Sequence, residues 1–370
     1  MLEVLSAGPQ ASVQDLGWRG WRDQGLNDAG ALDQAALRLA NALVGNPARA
    51  AVIEITWGGA AFRALSPLTM AVTGAQLKLE CDGRLLHCNQ AFAIAAGQVL
   101  RFGTPLRGAR CILAVHGGID VPMQLGARAT QLKAGFGGFQ GRALRRGDCL
   151  PIGVAEGVWA EPGFARSTGL TRKTGLTRKT GFALPTGFSL DTQWLYPAKP
   201  LRILVGSHAS ALSPDSLLAL STQQFTVSLR SDRMGLRMAP ALYFEHTLDL
   251  SSEPLLPGTL QLPPGGEPIL LTRDCQSTGG YPRIAHVARA DWDRLAQLRP
   301  GDPLHFCWIE PEAARALALR REAAIAQLEQ AIHARYARSF ATGAGRFAAQ
   351  PSAAAATRDA GASGIAHDHP

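Results

Sequence analysis

Short apolar runs with a period of two fill the first half of the chain, and that alternation predicts strands. Leu2 to Ser6 alternates and then turns at Gly8-Pro9. Ala51 to Thr56 is a β-rich run closed by Gly58-Gly59, and Leu68 to Leu79 is a longer one. Asp82-Gly83 then supplies the two-residue turn of a hairpin before Leu85 to Cys88. Ala91 to Ala95, Val99 to Phe102 and Cys111 to Val115 continue the pattern. One helix interrupts it: Leu32, Ala36, Leu39 and Leu43 fall on one face. Asn27 or Asp28 is the expected cap at its start, and Gly45-Asn46-Pro47 its stop.

The second half repeats the theme. Strands are predicted at Leu201 to Val205, Phe225 to Leu229, Thr259 to Leu262, Ile269 to Leu271, Ile284 to Val287 and Leu304 to Ile309. The period then changes. Pro311 can open a helix running to about Tyr336, with Leu317, Ala324, Leu328 and Ile332 toward a core. Between the halves, the hexapeptide Gly-Leu-Thr-Arg-Lys-Thr is written twice, at 169–174 and 175–180. A perfect six-residue repeat is too short for a solenoid unit and reads as a polar linker. The expected organisation is a first half at 1–160, a linker at 161–196, a second half with its C-terminal helix at 197–340, and a disordered, alanine-rich tail at 341–370.

Composition narrows the function classes. The chain has 370 residues, 46% hydrophobic and 18% charged, with 40 glycines and 23 prolines. That balance buries a real core through many turns and short strands. No run of about 18 apolar residues is present, so no membrane span is expected, and the N-terminus lacks a signal-like stretch, which points to the cytoplasm. The net charge is +8, but five basic residues and no acidic one lie between Phe164 and Phe182. The charge is thus concentrated in the linker, and no basic stripe interleaved with aromatics points to nucleic acid. None of the six cysteines forms a CxxC pair, so they read as reduced thiols and no metal site is expected.

Several chemical motifs are missing: the P-loop, the GxSxG nucleophile elbow, and a true dinucleotide turn, since Gly135-Phe136-Gly137-Gly138-Phe139-Gln140 has Gln140 in place of the third glycine. The densest polar segment is Asp274-Cys275-Gln276-Ser277-Thr278-Gly279-Gly280-Tyr281-Pro282-Arg283, between two strands. A strand-end loop can aim side chains into a cleft. Asp274 can take a proton, Gln276 can both donate to and accept from an amide, and Gly279-Gly280 let backbone N–H groups approach a carboxylate or oxyanion. Turn formation explains the same glycines equally well. Arg233 and Arg237 of Ser231–Arg237 can grip a carboxylate, or Asp232 and Arg233 can form a surface pair. Asp15, followed by Gly25, Gly30 and Asp33, is a turn residue or an active-site acid; His116 is a base or a hydrogen-bonded core histidine.

In this order the segments resemble the allophanate hydrolase subunit 2 family, also described as biotin-dependent carboxyltransferases and as the C-type component of bacterial 5-oxoprolinase. The resemblance covers roughly Met1 to Ile309. It runs through Ser12–Gly17, Gly30–Asp33, Ala40–Asn46, Glu54–Thr56, Gly117–Pro122, Ser231–Gly235, Leu256–Pro263 and Gln276–Ala285. Trp18 stands where the family usually has Arg, which weakens an anion-binding reading of that loop, and Ser277 replaces the commoner Thr. The resemblance implies a mainly β chain with a few helices, folded as two cyclophilin-like β-barrel halves. It implies B-type (subunit 1) and A-type partner subunits, ATP as cosubstrate of the complex, and opening of 5-oxo-L-proline to L-glutamate. An alternative is carboxyl transfer from carboxybiotin to urea, although the chain carries no Ala-Met-Lys-Met biotin-attachment motif. A third is a non-catalytic antagonist of a kinase inhibitor. The common denominator is a small amide-like substrate beside an anion. Asp274, Gln276 and Arg233 are therefore the expected catalytic residues, with Thr278, Gly279, Gly280, Tyr281, Asp232 and Asp15 binding substrate.

Overall fold

The computed structural model describes residues 1–154, 188–245 and 248–341; the duplicated hexapeptide and the expected tail beyond 341 lie outside the described residues. The chain is mainly β, with two curled sheets and four α-helices among the described residues.

The first sheet has nine strands organised on two long ones, Leu68–Cys81 and Val99–Val115. They pair antiparallel from Met70↔Val115 to Cys81↔Leu100, with register shifts between Gly74 and Leu79. Val99–Val115 also pairs with Val52–Thr56 at one end and Ala60–Ala64 at the other. Bulges of this kind increase local twist, so the sheet curls around its own apolar face. Val99–Phe102 and Cys111–Val115, expected as separate strands, are one element. Gly103, Pro105 and Gly108 bend it but do not end it. The Asp82-Gly83 turn forms as expected, with positive φ at both residues and Cys81 opposite Arg84.

Alternation decides what each face carries. In Val52–Thr56 every residue is buried; Ile53 and Ile55 enter the inner core with Phe62, Met70 and Leu113. Val52 points the other way, with Ala71 and Ile112, against helix α1, Gln34–Leu43. Glu54, two positions along, shares that outer face and is 2% exposed. Leu37, Leu39 and Leu43 of α1 are fully buried there, each burial stabilising by about 1.5–3 kcal/mol. Neither Asn27 nor Asp28 caps α1. Asp33 does, its carboxylate accepting from the Ala36 N–H at 2.8 Å. Gly30 (φ +77°) turns the chain so tightly that a Cβ there would lie 2.7 Å from the Gly17 nitrogen, which delays the helix to Gln34.

The second sheet has eight strands, in the order Pro303–Leu304, Phe225–Val227, Gly235–Ala239, Ile269–Leu271, Thr259–Gln261, Arg283–Val287, Leu201–Val205 and Phe306–Trp308. Only the last pair is parallel. Helix α2, Pro214–Thr222, capped by Ser213, is not foreshadowed by the sequence reading. Helix α3 is the single turn Trp292–Leu295. Helix α4, Pro311–Ala341, expected with the second half, packs on α1 of the first. Arg38 reaches Glu329 at 2.6 Å and Glu322 at 2.6 Å, and the Tyr336 hydroxyl donates to the Leu43 carbonyl.

Two polar clamps join the halves around α1. Asp293, from the second half, accepts from the Gln34 N–H at 3.0 Å, a carboxylate at a helix N-terminus. Gln297 accepts from the Ala109 N–H at 3.0 Å and donates to the Asp33 carboxylate at 2.7 Å. Gly108 leaves space for that amide: a Cβ there would sit 2.5 Å from its Oε1. Tyr196 also donates to Asp33, at 2.7 Å. Burial, then the charge of Asp293, pushes the Asp33 carboxyl up from 3.8 to about 7. The native state therefore holds this proton between about pH 4 and pH 7 while the unfolded chain releases it. The native state binds more protons in that window, so this group makes stability fall as pH rises through it. Asp33→Asn, which keeps a capping oxygen, is expected to flatten that decline in denaturant midpoints measured from pH 4.5 to 7.5. An unchanged slope contradicts the assignment.

Candidate functional site

The buried face between the halves holds four charges. Glu54 and Arg110 come from neighbouring strands of the first sheet; Arg233 and Asp274 come from loops of the second. All are under 10% exposed. The Arg233 guanidinium donates through Nε to Asp274 at 2.8 Å, through Nη1 to Glu54, and through Nη2 to the Gly30 carbonyl at 2.8 Å. Glu54 also accepts from the Leu32 N–H at 2.7 Å and lies 3.8 Å from Arg110 Nε. Arg110 donates to the Ala296 carbonyl at 2.8 Å. Two acids and two guanidiniums leave the cluster neutral, as burial demands. Burial alone would lower the Arg233 pKa, but Asp274 and Glu54 hold it above its ordinary value. Burial raises the Asp274 carboxyl, against the pull of Arg233.

This geometry bears on two expected roles. Arg233 was expected to grip a substrate anion and Asp274 to handle a proton. Each is instead paired with the other inside the interface. Both tie the start of the following segment to the first half. The expected Asp232–Arg233 surface pair is also absent: Asp232 accepts from the N–H groups of Met234 (2.7 Å) and Gly235 (3.2 Å), closing the turn.

Beyond Asp274 the loop emerges from the interface on a firm frame. The Asn27 side chain donates to the Asp274 carbonyl at 2.7 Å. Arg22 donates to the carbonyls of Leu255 at 2.7 Å and Gln276 at 3.0 Å. Thr278–Gly279 pairs with Glu253–Pro254, and buried Gln261 donates to the Tyr281 carbonyl at 3.1 Å. On this frame Gln276, Thr278, Gly280 and Tyr281 are exposed, while Gly279 is half-buried. A Cβ at Gly279 would meet Leu255 at 2.7 Å. Gln276, Thr278, Gly279, Gly280 and Tyr281, expected together from the sequence, lie along one surface ridge. Arg233 lies behind it, linked through Asp274.

The remaining candidates fall elsewhere. Asp15 is 6% exposed, and its carboxylate accepts from the N–H groups of Gly17 (2.8 Å) and Arg128 (2.6 Å), so it closes a turn. Burial raises its pKa. His116 Nδ1 donates to the Val44 carbonyl at 2.6 Å. Trp18 is buried, donates to the Gln124 carbonyl and packs on Phe136 at 5.4 Å. A cavity of about 540 Å³ between the halves, bordered by Tyr196, Lys199, Arg294 and Gln297, includes none of the expected site residues.

Sequence reasoning missed Glu54, Arg110, Arg22 and Gln297. Glu54 carried a usable signal: a single carboxylate inside Val52-Ile53-Glu54-Ile55 must be paired if that strand is buried on both faces.

The family described as "Carboxyltransferase domain, subdomain A and B" matches residues 24–308. The chain belongs to that family. It is 36% identical over 313 residues to the C-type component of 5-oxoprolinase from Escherichia coli (strain K12), covering 84% of this chain and 92% of that one. It is 30% identical to the C-type component of 5-oxoprolinase from Haemophilus influenzae, over 90% of this chain and 99% of that one. Among solved structures it is similar to K. lactis urea amidolyase, with TM-score 0.73 and 26% identity over 88% of this chain and 20% of that one. The carboxyltransferase-family chain therefore spans nearly the full length of the first group and about a fifth of the second.

Arg22 is the contact that tests whether the loop is held by the first half. Arg22→Ala is expected to cost about 1–3 kcal/mol through lost charged hydrogen bonds. It is also expected to speed backbone hydrogen exchange at 274–281 at least tenfold relative to the first sheet. Unchanged exchange there contradicts the frame described.

Proposed function

We propose that the chain is the C-type component of an ATP-dependent 5-oxoprolinase, opening 5-oxo-L-proline to L-glutamate with A- and B-type subunits. The observation that carries this reading is near end-to-end correspondence with two proteins named as the C-type component of 5-oxoprolinase. The reaction breaks the lactam C–N bond; water adds its hydroxyl to the carbonyl carbon and its proton to the nitrogen, while ATP hydrolysis drives the opening. Gln276 is suited to the lactam, having one donor and one acceptor group. The Gly279–Gly280 backbone is suited to the oxyanion that develops on the carbonyl oxygen. Thr278 and Tyr281 flank them. The ridge is open to solvent, so a partner surface would supply the opposing wall and exclude water.

Two candidate phosphate sites among the described residues do not fit ATP. The N-terminus of α1, otherwise an anion site, is taken by the carboxylates of Asp33 and Asp293. The glycine-rich turn is packed inward: a Cβ at Gly137 would lie 2.1 Å from the Ala129 carbonyl, and one at Gly138 would lie 1.8 Å from Thr130 Oγ1. ATP therefore belongs to a partner in this proposal.

Carboxyl transfer from carboxybiotin to urea or a similar amide is the second reading. The family description and the likeness to urea amidolyase favour it. It would require a separate biotin carrier.

Co-expression with A- and B-type subunits, followed by assays on 5-oxoproline with ATP and on urea with carboxybiotin, separates the two. ATP-dependent glutamate formation is expected. Gln276→Ala, at an exposed position, is expected to lower kcat at least tenfold while leaving Tm within about a degree. Urea carboxylation without glutamate formation rejects the first reading, and wild-type turnover by Gln276→Ala rejects the role of the ridge.

A further inference from the structure

The reaction proposed above makes no use of the cavity between the halves. Its volume is about 540 Å³. Small-molecule sites typically measure about 300–1,000 Å³ and favour junctions between domains. Three stretches of chain meet around it. The first is Gly74–Gln76 with Arg107 and Gly108, on the two long strands of the first sheet. The second is Tyr196–Leu201, where the chain enters the second half, and the third runs from Arg294 to His305. Side-chain bonds hold these walls in register. Arg107 Nη2 donates to the Tyr196 carbonyl at 2.8 Å, and Arg294 donates to the carbonyls of Lys199 and Pro200. Gln297 crosses to the Arg110 carbonyl at 3.0 Å. The cavity is therefore preformed rather than a gap between loose segments.

Its border is strongly cationic. Arg107, Lys199, Arg294 and Arg299 lie on it, against a single carboxylate among the described residues, Asp302. Two of the four cations are answered within the protein: Arg299 lies 3.5 Å from Asp302, and Arg294 lies 2.9 Å from Asp291. Asp302 is further committed to the Arg299 N–H at 2.8 Å. Arg107 and Lys199 have no carboxylate partner among the described residues, and both reach solvent, so their donors are available to an entering group. Between the cations the wall is apolar, with Pro197, Pro200, Leu298 and Pro303 along it. Charges of one sign above low-dielectric walls focus their field into a cleft and concentrate anions there. A bare inorganic ion would leave the proline and leucine surface in water, whereas an organic body would cover it.

We propose that this cavity binds a small organic anion, its carboxylate or phosphate head held by Arg107 and Lys199 and its apolar body laid against Pro197, Pro200, Leu298 and Pro303. The site is separate from the Gln276–Tyr281 ridge, and it stands whichever reaction the complex performs. Because its walls come from both halves, the ligand also ties the halves together.

The test uses the purified full-length chain at low ionic strength, with binding followed by calorimetry and by Tm. Adenosine 5′-monophosphate and phenylacetate are the phosphate and carboxylate probes. Adenosine and phenylacetamide are their uncharged counterparts, and inorganic phosphate supplies a head group without a body. At least one organic anion is expected to bind saturably and to raise Tm by mass action; the one that binds identifies the head group. Its uncharged counterpart and inorganic phosphate are expected to bind at least tenfold more weakly. Lys199→Gln is expected to weaken the anion at least fivefold while leaving the ligand-free Tm within about a degree, since the side chain is exposed. Arg107→Gln, whose amide can still donate to the Tyr196 carbonyl, is expected to weaken it by a similar factor. Ala198→Trp, which fills the cavity and keeps every charge, is expected to abolish binding. No saturable binding of either organic anion overturns the proposal, as does equal binding of the uncharged counterpart. Affinity unchanged by any of the three substitutions places the anion elsewhere and overturns it too. The readout is binding to the isolated chain, so neither result bears on glutamate formation by the assembled complex.

Discussion

A charge that leaves water must find an opposite charge, and in this chain that requirement ties the two halves together. Glu54 sits on the outer face of a strand that is buried on both sides, so a carboxylate is placed where only a cation can hold it. The cation, Arg233, comes from the other half and brings Asp274 with it. Arg110 balances the set. A hydrophobic contact of the same size would tolerate sliding. A guanidinium bonded to Glu54, Asp274 and the Gly30 carbonyl at once tolerates very little.

The consequence for function is positional. Asp274 is fixed from one side by Arg233 and from the other by Asn27, and two residues later Arg22 holds the Gln276 carbonyl. The ridge from Gln276 to Tyr281 is thus carried by the second sheet but oriented by the first half. Helix α4 strengthens the arrangement by crossing back onto α1. An exposed row of amide-competent groups on a rigid mount suits the proposed role as one face of a shared site.

Much of the fold was readable because alternation and turn chemistry are local. The Asp82-Gly83 hairpin, the strands at Ile269–Leu271 and Leu201–Val205 and the α1 face all follow from nearest neighbours along the chain. What escaped was non-local. The cap of α1 shifted to Asp33 because Gly30 is squeezed against Gly17, a contact between loops. The contact of helix α4 with α1 was not legible because sequence proximity says nothing of Arg38 and Glu329. The 274–283 loop stood out in the sequence because polar, glycine-bearing loops between strands are recognisable. The pairing of Arg233 with Glu54 and Asp274 was not legible, because a guanidinium that grips a ligand and one that grips a neighbouring half look identical in sequence.

The direct test of this account is a double-mutant cycle across the interface, with Glu54→Gln and Arg233→Met made singly and together and unfolding followed in denaturant. If the two side chains stabilise each other, each single change leaves the buried four-charge cluster one charge out of balance and lowers stability strongly, by about 3–5 kcal/mol. The double variant then loses far less than the sum. Losses that simply add would show that Glu54 and Arg233 do not hold the halves together.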